Sequence, residues 1–280
     1  MKKWKIFYLL VPILLLCGFT SPKQDLKITY LGNCSYLYES ARSKVVVDPF
    51  GTEYGNYFYL PSNDTKQNII KGNAPFDKVN LLLITHIHGD HFNAKLTEKF
   101  LLNNRKAKMI CPQQVYMQMR DSCKSFARIK SQIISPDLAM NGSKKINANG
   151  VPITVIRMQH GTNRSLVGID YSNYTNYEKT EDFGYVIHFG KKTVFHQGDG
   201  CLKINGKALN KIDCPIDIAY LGFFDWDSAS LNIVKNKLKA KSVIFMHGTK
   251  PAKELELDSF KKIAPQLIFF KSELESKIFK

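Results

Sequence analysis

The stretch Thr85-His86-Ile87-His88-Gly89-Asp90-His91 follows directly on the apolar run Leu81-Leu82-Leu83-Ile84, and few folds accommodate such a junction. The apolar run reads as a buried strand. Three imidazoles and a carboxylate at its end are costly to bury unless something compensates them. Gly89 lets the backbone fold back sharply, so nitrogen and oxygen donors can converge on a small volume. Neutral imidazole and carboxylate are metal donors, and a bound cation is the occupant this pattern implies. A solvated histidine-containing loop is the alternative, but three of only seven histidines in the chain sit here.

With 280 residues, 44% hydrophobic and 12% aromatic, the chain can bury a large core, which excludes a disordered or fibrous protein. The net charge is +16, and +13 remains without the first twenty residues, which carry Lys2, Lys3 and Lys5 and no acid. Such a balance favours anionic partners such as phosphorylated molecules, acidic lipid headgroups or nucleic acid, although solubility alone also accounts for it. Residues 1–20 read as an export signal: three lysines precede an apolar run, Ile6 to Leu16, that is too short for an ordinary membrane-spanning helix. Cys17 stands where a bacterial lipoprotein is lipidated, which would tether the protein to a membrane, but Leu16 is a poor residue before it. Cleavage near Thr20 and an uncleaved anchor stay open. The expected location is the bacterial cell envelope, lipid-anchored or periplasmic, or the exterior. Cys34, Cys111, Cys123, Cys201 and Cys214 lack metal-type spacing and read as buried free thiols without a functional role.

Residues 21–26 read as a short tether and 27–280 as a single domain. Short β-rich runs at 27–31, 35–39 and 44–48 suggest an antiparallel meander, and Asp48-Pro49 leaves a carboxylate at a strand end. Residues 51–64 form a loop rich in aromatics (Tyr54, Tyr57, Phe58, Tyr59) that could line a pocket. Helices are expected over 94–102, 113–129 and 227–238, the last capped by Asp227 or Ser228. The strand 153–158 runs into His160, and residues 162–182, with Tyr171, Tyr174 and Tyr177, look like a lid or a surface insertion beside it. The hairpin 184–195 leads to Gly198-Asp199-Gly200, and the strand 242–246 to His247. His188 and His196 are left as structural residues. His86, His88, Asp90, His91, His160, Asp199 and His247 thus all follow apolar β runs, and strand ends at one sheet edge can deliver donors to one point.

Together with Leu31-Gly32-Asn33-Cys34 and Val47-Asp48-Pro49, these motifs resemble the metallo-β-lactamase fold superfamily over nearly everything after residue 26. The resemblance implies an α/β (α+β) fold, a four-layer αββα sandwich with the site at one edge. It implies that His86, His88 and His160 bind one metal, that Asp90, His91 and His247 bind a second, and that Asp199 bridges both. Asp48 would act behind them by fixing a ligand histidine, and Asp90 and Asp199 would be the catalytic carboxylates. The cofactors would be two divalent transition-metal ions, with zinc ahead of manganese or iron. A histidine at His88 departs from the iron flavoproteins of this fold, and Asp199 stands where class B1 β-lactamases carry cysteine.

Within the superfamily the chain is most similar to the branch of L-ascorbate-6-phosphate lactonase and N-acyl-phosphatidylethanolamine phospholipase D. The function expected is therefore an exported dinuclear metal-dependent hydrolase that cleaves a lactone, phosphodiester or thioester with a metal-bridging hydroxide. The substrate would be a small or lipid-derived anionic molecule chosen by the two aromatic segments. A non-catalytic metal-binding surface protein is one alternative. An extracellular nuclease is another, disfavoured because neither an extra motif nor an added domain follows the metal core.

Overall fold

The computed structural model describes residues 25–161, 179–225, 227–248, 250 and 267–280. The export signal, Cys17 and most of the 162–182 segment lie outside them. The strands are β1 Leu26–Gly32, β2 Ser35–Glu39, β3 Lys44–Val47, β4 Leu81–Leu83, β5 Lys108–Ile110, β6 Ile133–Ile134 and β7 Ser143–Ala148. They continue with β8 Val151–Gln159, β9 Glu181–Phe189, β10 Lys192–His196, β11 Ile218–Leu221, β12 Ser242–Phe245, β13 Leu267–Ile268 and β14 Ser276–Phe279. Among the described residues they form two seven-stranded sheets, ordered β14-β1-β2-β3-β4-β5-β6 and β13-β12-β11-β10-β9-β8-β7. β1 starts at Leu26, whose side chain is fully buried, so the sheet takes in the last residue expected in the tether.

Side chains alternate across a strand, and here both faces of each sheet are apolar. Tyr36, Tyr38, Val45, Val47, Leu81 and Leu83 face Ile153, Val155, Tyr185, Ile187 and Tyr220 between the sheets. The opposite face of the first sheet, with Leu37, Val46, Leu82, Ile84 and Met109, packs on helices α1 Asn63–Lys71, α2 Ala94–Asn103, α3 Gln113–Ser122 and α4 Phe126–Ile129. The outer face of the second, with Ile156, Met158, Val186, Phe195 and Leu221, packs on α5 Gly206–Leu209 and on the segment containing α6 Ser228–Asn232. Four layers result in the order helices, sheet, sheet, helices, as expected of an αββα sandwich.

Three local differences have identifiable causes. Residues 63 and 64 of the expected aromatic loop open α1. Ser62 caps it by accepting from the Thr65 N–H, and Gly72, at φ +66°, closes it in the left-handed conformation. The single helix expected over 113–129 breaks at Cys123, whose backbone is extended at φ −94°, ψ 120°. The helix from residue 227 has Asp227 as its cap, accepting from Ser230 N, but passes into a π-helical turn at Ile233–Lys237.

Strand directions place the site. β3, β4 and β5 are parallel, and β1 runs with β3 because each is antiparallel to β2. In the second sheet β10, β11 and β12 are parallel, and β8 runs with β10 because both oppose β9. The segments after β1, β3 and β4 therefore emerge at one edge, as do those after β8, β10 and β12, and cross-sheet bonds bring the two edges together. Phe183 N–H donates to Thr85 O at 2.9 Å, and His247 N–H to Asn33 O at 3.3 Å.

Candidate metal centre

All seven expected donors meet at this edge, nearly all of them buried. The turn after β4 is held from outside by the segment after β3. Thr52 and Glu53 N–H donate to Gly89 O at 2.7 and 3.0 Å, and Gly51 lies so close to Asp90 that a Cβ there would stand 2.0 Å from its carbonyl oxygen. On the opposite side Gly161 N–H donates to Asp199 O at 2.7 Å, which fixes His160 against Asp199. Gly198 takes φ +61° where a side chain would strike Asp182, and so delivers Asp199 inward.

Two lobes of donors result. The side-chain donors of His86, His88 and His160 lie within 4.8 Å of one another. In the other lobe, Asp90 Oδ2 is 3.3 Å from both His91 Nε2 and His247 Nε2. Asp199 sits between the lobes. Its Oδ1 faces His91 Nε2 at 3.4 Å, while its Oδ2 faces His247 at 3.3 Å, His160 at 3.6 Å and His86 at 3.9 Å. These separations are long for hydrogen bonds. They match donors sharing one ion, since two nitrogens ~2.05 Å from a tetrahedral metal lie roughly 3.3 Å apart.

Hydrogen bonds behind the rings set the tautomers. Thr85 Oγ1 donates to Asp48 Oδ2 at 2.6 Å, so it accepts from His86 Nδ1 at 3.0 Å. His91 Nδ1–H donates to Asp48 Oδ2 at 2.9 Å, and His160 Nδ1–H to Gly161 O at 2.7 Å. His86 and His160 therefore turn an Nε2 lone pair to the centre, and His91 points its Nε2 there, the orientation a ligating imidazole requires. His86 Nε2 is fully buried and has no hydrogen-bond partner, which is an orphan donor suited to a cation.

The electrostatics differ between lobes. Burial, then neighbouring His91 and His88, pushes the His86 imidazole well below its usual range; burial and His88 push His160 down to about 3. These rings are neutral. Burial also works to lower His247, but Asp199 and Asp90 outweigh it and raise it to about 9; the same two carboxylates raise His91. Burial would raise Asp90 and Asp199, yet His91 and His247 hold both well below the usual carboxylate range. Without a metal this lobe thus stores two imidazolium protons opposite two carboxylates, and a divalent cation would replace that charge. The donor set fits transition metals at both lobes.

Asp48 has the supporting position expected of it, and it also accepts from Thr85 N–H at 2.8 Å. His196 is buried but turns away from the centre: its Nδ1 accepts from Gly198 N–H, so its Nε2–H donates to Cys34 O at 3.0 Å. The half-buried His188 lies 3.4 Å from Thr193 Oγ1, and no contact joins it to the centre. Of the aromatic loop, Phe58 stands edge-on to His247 with ring centroids 4.5 Å apart. Tyr59 lines a hollow of about 30 Å³ with Tyr30, Phe245, Met246, His247 and Phe270.

Four residues were not foreseen. Asp182, expected in the excursion, is a β9 residue, fully buried, with Oδ1 3.4 Å from His86 Nδ1. Its carboxyl is pushed well up by burial and then by Asp199. Asn33 Nδ2 donates to Asp90 Oδ2 at 3.1 Å, and Phe224 meets His160 with ring centroids 5.7 Å apart. Cys34, dismissed with the other thiols, points its Sγ at Asp199 Oδ1 from 3.8 Å. Among the described residues all cysteines are free. The period-2 run from Asp182 onward was the one local signal available; the others depend on contacts between the sheets.

Fold and donors together define a metal-dependent hydrolase of the metallo-β-lactamase type. The model of the β-lactamase superfamily domain matches residues 27–247, and the chain belongs to that superfamily. It is 29% identical over 241 residues to a UPF0173 metal-dependent hydrolase of Pelotomaculum thermopropionicum, covering 84% of this chain and 90% of the relative. Among solved structures it is similar to Igni18, a metallo hydrolase of Ignicoccus hospitalis (TM-score 0.61, 20% identity, 91% of this chain and 99% of that one). It is also similar to the metallo-β-lactamase fold protein YhfI of Bacillus subtilis (TM-score 0.58, 13% identity, 92% and 100%).

Proposed function

We propose that this hydrolase works with two metal ions and cleaves an ester-like bond, a lactone, phosphodiester or thioester, in a small or lipid-derived anionic substrate. The observation that carries the reading is the Asp199 carboxylate, whose Oδ2 faces His86, His160 and His247 while its Oδ1 faces His91, so one side chain reaches donors of both lobes. Bound divalent ions would supply an activated water near neutral pH and polarise the oxygen it attacks. The chain's own groups do the rest. Asp48 and Thr85 hold the rings of His91 and His86 in register. Asp90, pinned at Oδ2 by Asn33 beside His91 and His247, is the carboxylate placed to orient the attacking water or pass a proton to the leaving group. Phe58 and Phe224 flank the centre on the His247 and His160 sides and would exclude water around a partly apolar substrate.

Export to the cell envelope, with Cys17 as lipid attachment point, belongs to the same proposal and rests on the lysine-led apolar segment at the start of the chain. Elemental analysis of the purified protein should find close to two transition-metal ions per chain, and Asp199→Ala should lose one or both. Turnover should follow on one member of a lactone, phosphodiester and thioester panel. Full metal loading with no turnover on any of them would sink the ester assignment, and one ion per chain would sink the dinuclear one.

A further inference from the structure

We propose that Cys34 is a thiolate ligand of the metal position formed by His91, His247 and Asp199. This inference rests on the two-lobed reading above and deepens it. Cys34 lies in the turn between β1 and β2, where a solvated polar residue would be ordinary, yet it is only 1% exposed. The turn is aimed inward by its backbone: Asn33 adopts φ +48°, in the left-handed region. Both ends of the aim are fixed by the other sheet, since His247 N–H donates to Asn33 O and His196 Nε2–H to Cys34 O. His196, which has no place among the ligands, thereby acquires one behind them.

The thiol arrives at a coordination distance. Cys34 Sγ, His91, Asp199 and His247 offer donor atoms that all lie within 4.8 Å of one another, and Sγ is 3.8 Å from Asp199 Oδ1. A zinc ion ~2.3 Å from sulfur and ~2.0 Å from oxygen in a tetrahedral site would separate those two donors by roughly 3.5 Å. A second observation is independent of the cysteine: the buried His86 Nε2, which makes no hydrogen bond, is turned to the same Asp199 carboxylate from the neighbouring lobe, an arrangement suited to cations on both sides of it. On binding, a sulfur–metal bond forms and the thiol proton leaves to solvent; nothing is oxidised or reduced. Cys34, His91, His247 and Asp199 would then hold that ion together. A soft ligand on one lobe only also makes the two positions unequal, the sulfur-bearing one selecting zinc-like ions over manganese.

The test is cobalt substitution. Wild-type protein loaded with Co(II) should show an intense near-ultraviolet sulfur-to-cobalt charge-transfer band. Cys34→Ser and Cys34→Ala should lose that band and bind one ion 10-fold or more weakly while the other is held unchanged. Persistence of the band in Cys34→Ala, or its absence from fully loaded wild type, overturns the proposal. A wild type that binds a single ion with the band present and Cys34-dependent supports it while refuting the two-metal reading. Zinc-edge X-ray absorption on the wild type requires no variant: a sulfur neighbour at ~2.3 Å is expected, and a shell of nitrogen and oxygen alone overturns the proposal.

Discussion

Asp48→Asn isolates the contribution of a residue that touches no metal. Asp48 is 2% exposed and sits at φ +46°, a conformation asparagine tolerates as well as aspartate, so the backbone has no reason to move. Its Oδ1 accepts from Thr85 N–H at 2.8 Å, and the amide oxygen can do the same. The change falls on Oδ2, which accepts from Thr85 Oγ1 at 2.6 Å and from His91 Nδ1–H at 2.9 Å. An NH2 group there meets a ring N–H, donor against donor. Either the pair stays unsatisfied, at about 1–3 kcal/mol of stability, or His91 changes tautomer and turns Nε2–H toward the centre. Both outcomes weaken the position that His91 serves. Loss of such a supporting carboxylate typically costs 10–100-fold in metal affinity, which is about 1.4–2.7 kcal/mol. Competition with a chromophoric chelator reads the affinity, and urea unfolding of the metal-free protein reads the stability. The ion held by His91 should weaken most and the one held by His86 less, since Asp48 reaches His86 only through Thr85 Oγ1 and the tautomer of His160 is set by Gly161 O. Affinity within 2-fold of wild type for both ions would refute the claim that Asp48 orients a ligand.

Further perturbations test other parts of the structure. Gly51→Ala would push a methyl group into the Asp90 backbone and should cost about 1–3 kcal/mol and weaken metal binding together; thermal melting and chelator competition would show a harmless change if the contact is misplaced. Asp225 is fully buried and accepts from Gln197 Nε2, Leu202 N–H and Ser230 Oγ, so Asp225→Ala should destabilise by about 3 kcal/mol, read as a fall in the urea midpoint. His160, at about 3 when folded and ~6.5 when unfolded, takes up its proton only on unfolding between those values. The metal-free protein should therefore lose about 1.4 kcal/mol per pH unit from this residue as pH falls below ~6.5. His247, raised to about 9, acts with the opposite sign, its contribution complete below ~6.5 and lost as pH rises through 9. Urea midpoints at pH 5, 7 and 9 should show a shallower acid limb in His160→Gln, and an unchanged limb would count against a buried neutral ring.

The donors that are legible in the sequence share one property: each comes within four residues after an apolar run, so a local pattern places it near a strand end and sheet direction does the rest. His86, His160, Asp199 and His247 are of this kind. The four-layer fold came from the resemblance these motifs carry, and the order of strand and helix runs is compatible with it. The misreadings have the complementary cause. Asp182 lies at the start of a strand, not after one, and acquires its meaning from His86 across the sheets. Asn33 and Cys34 sit in a hairpin turn whose ordinary reading is solvent, and only the bonds from His247 and His196 turn them inward. Helix α1 was hidden for another reason: its capping residues Ser62 and Gly72 were present, but the preceding aromatics drew the segment into a loop.

This asymmetry bears on the chemistry. The resemblance nominates Asp90 twice, as ligand of the second metal and as a catalytic carboxylate, and the two roles compete for one side chain. The geometry offers a division of labour that no local pattern contains. Asp90 Oδ2 is 3.3 Å from both ring nitrogens and is also held by Asn33, while a thiol stands on the Asp199 side of the same lobe. If sulfur occupies the coordination position, Asp90→Asn should leave the stoichiometry of bound metal intact and reduce turnover. If Asp90 is the ligand, the same substitution should cost an ion as well as activity. Metal content and kcat measured on one variant therefore separate the two arrangements, and loss of an ion from Asp90→Asn with full loading of Cys34→Ala would return the second position to His91, His247 and the carboxylates, without the thiol.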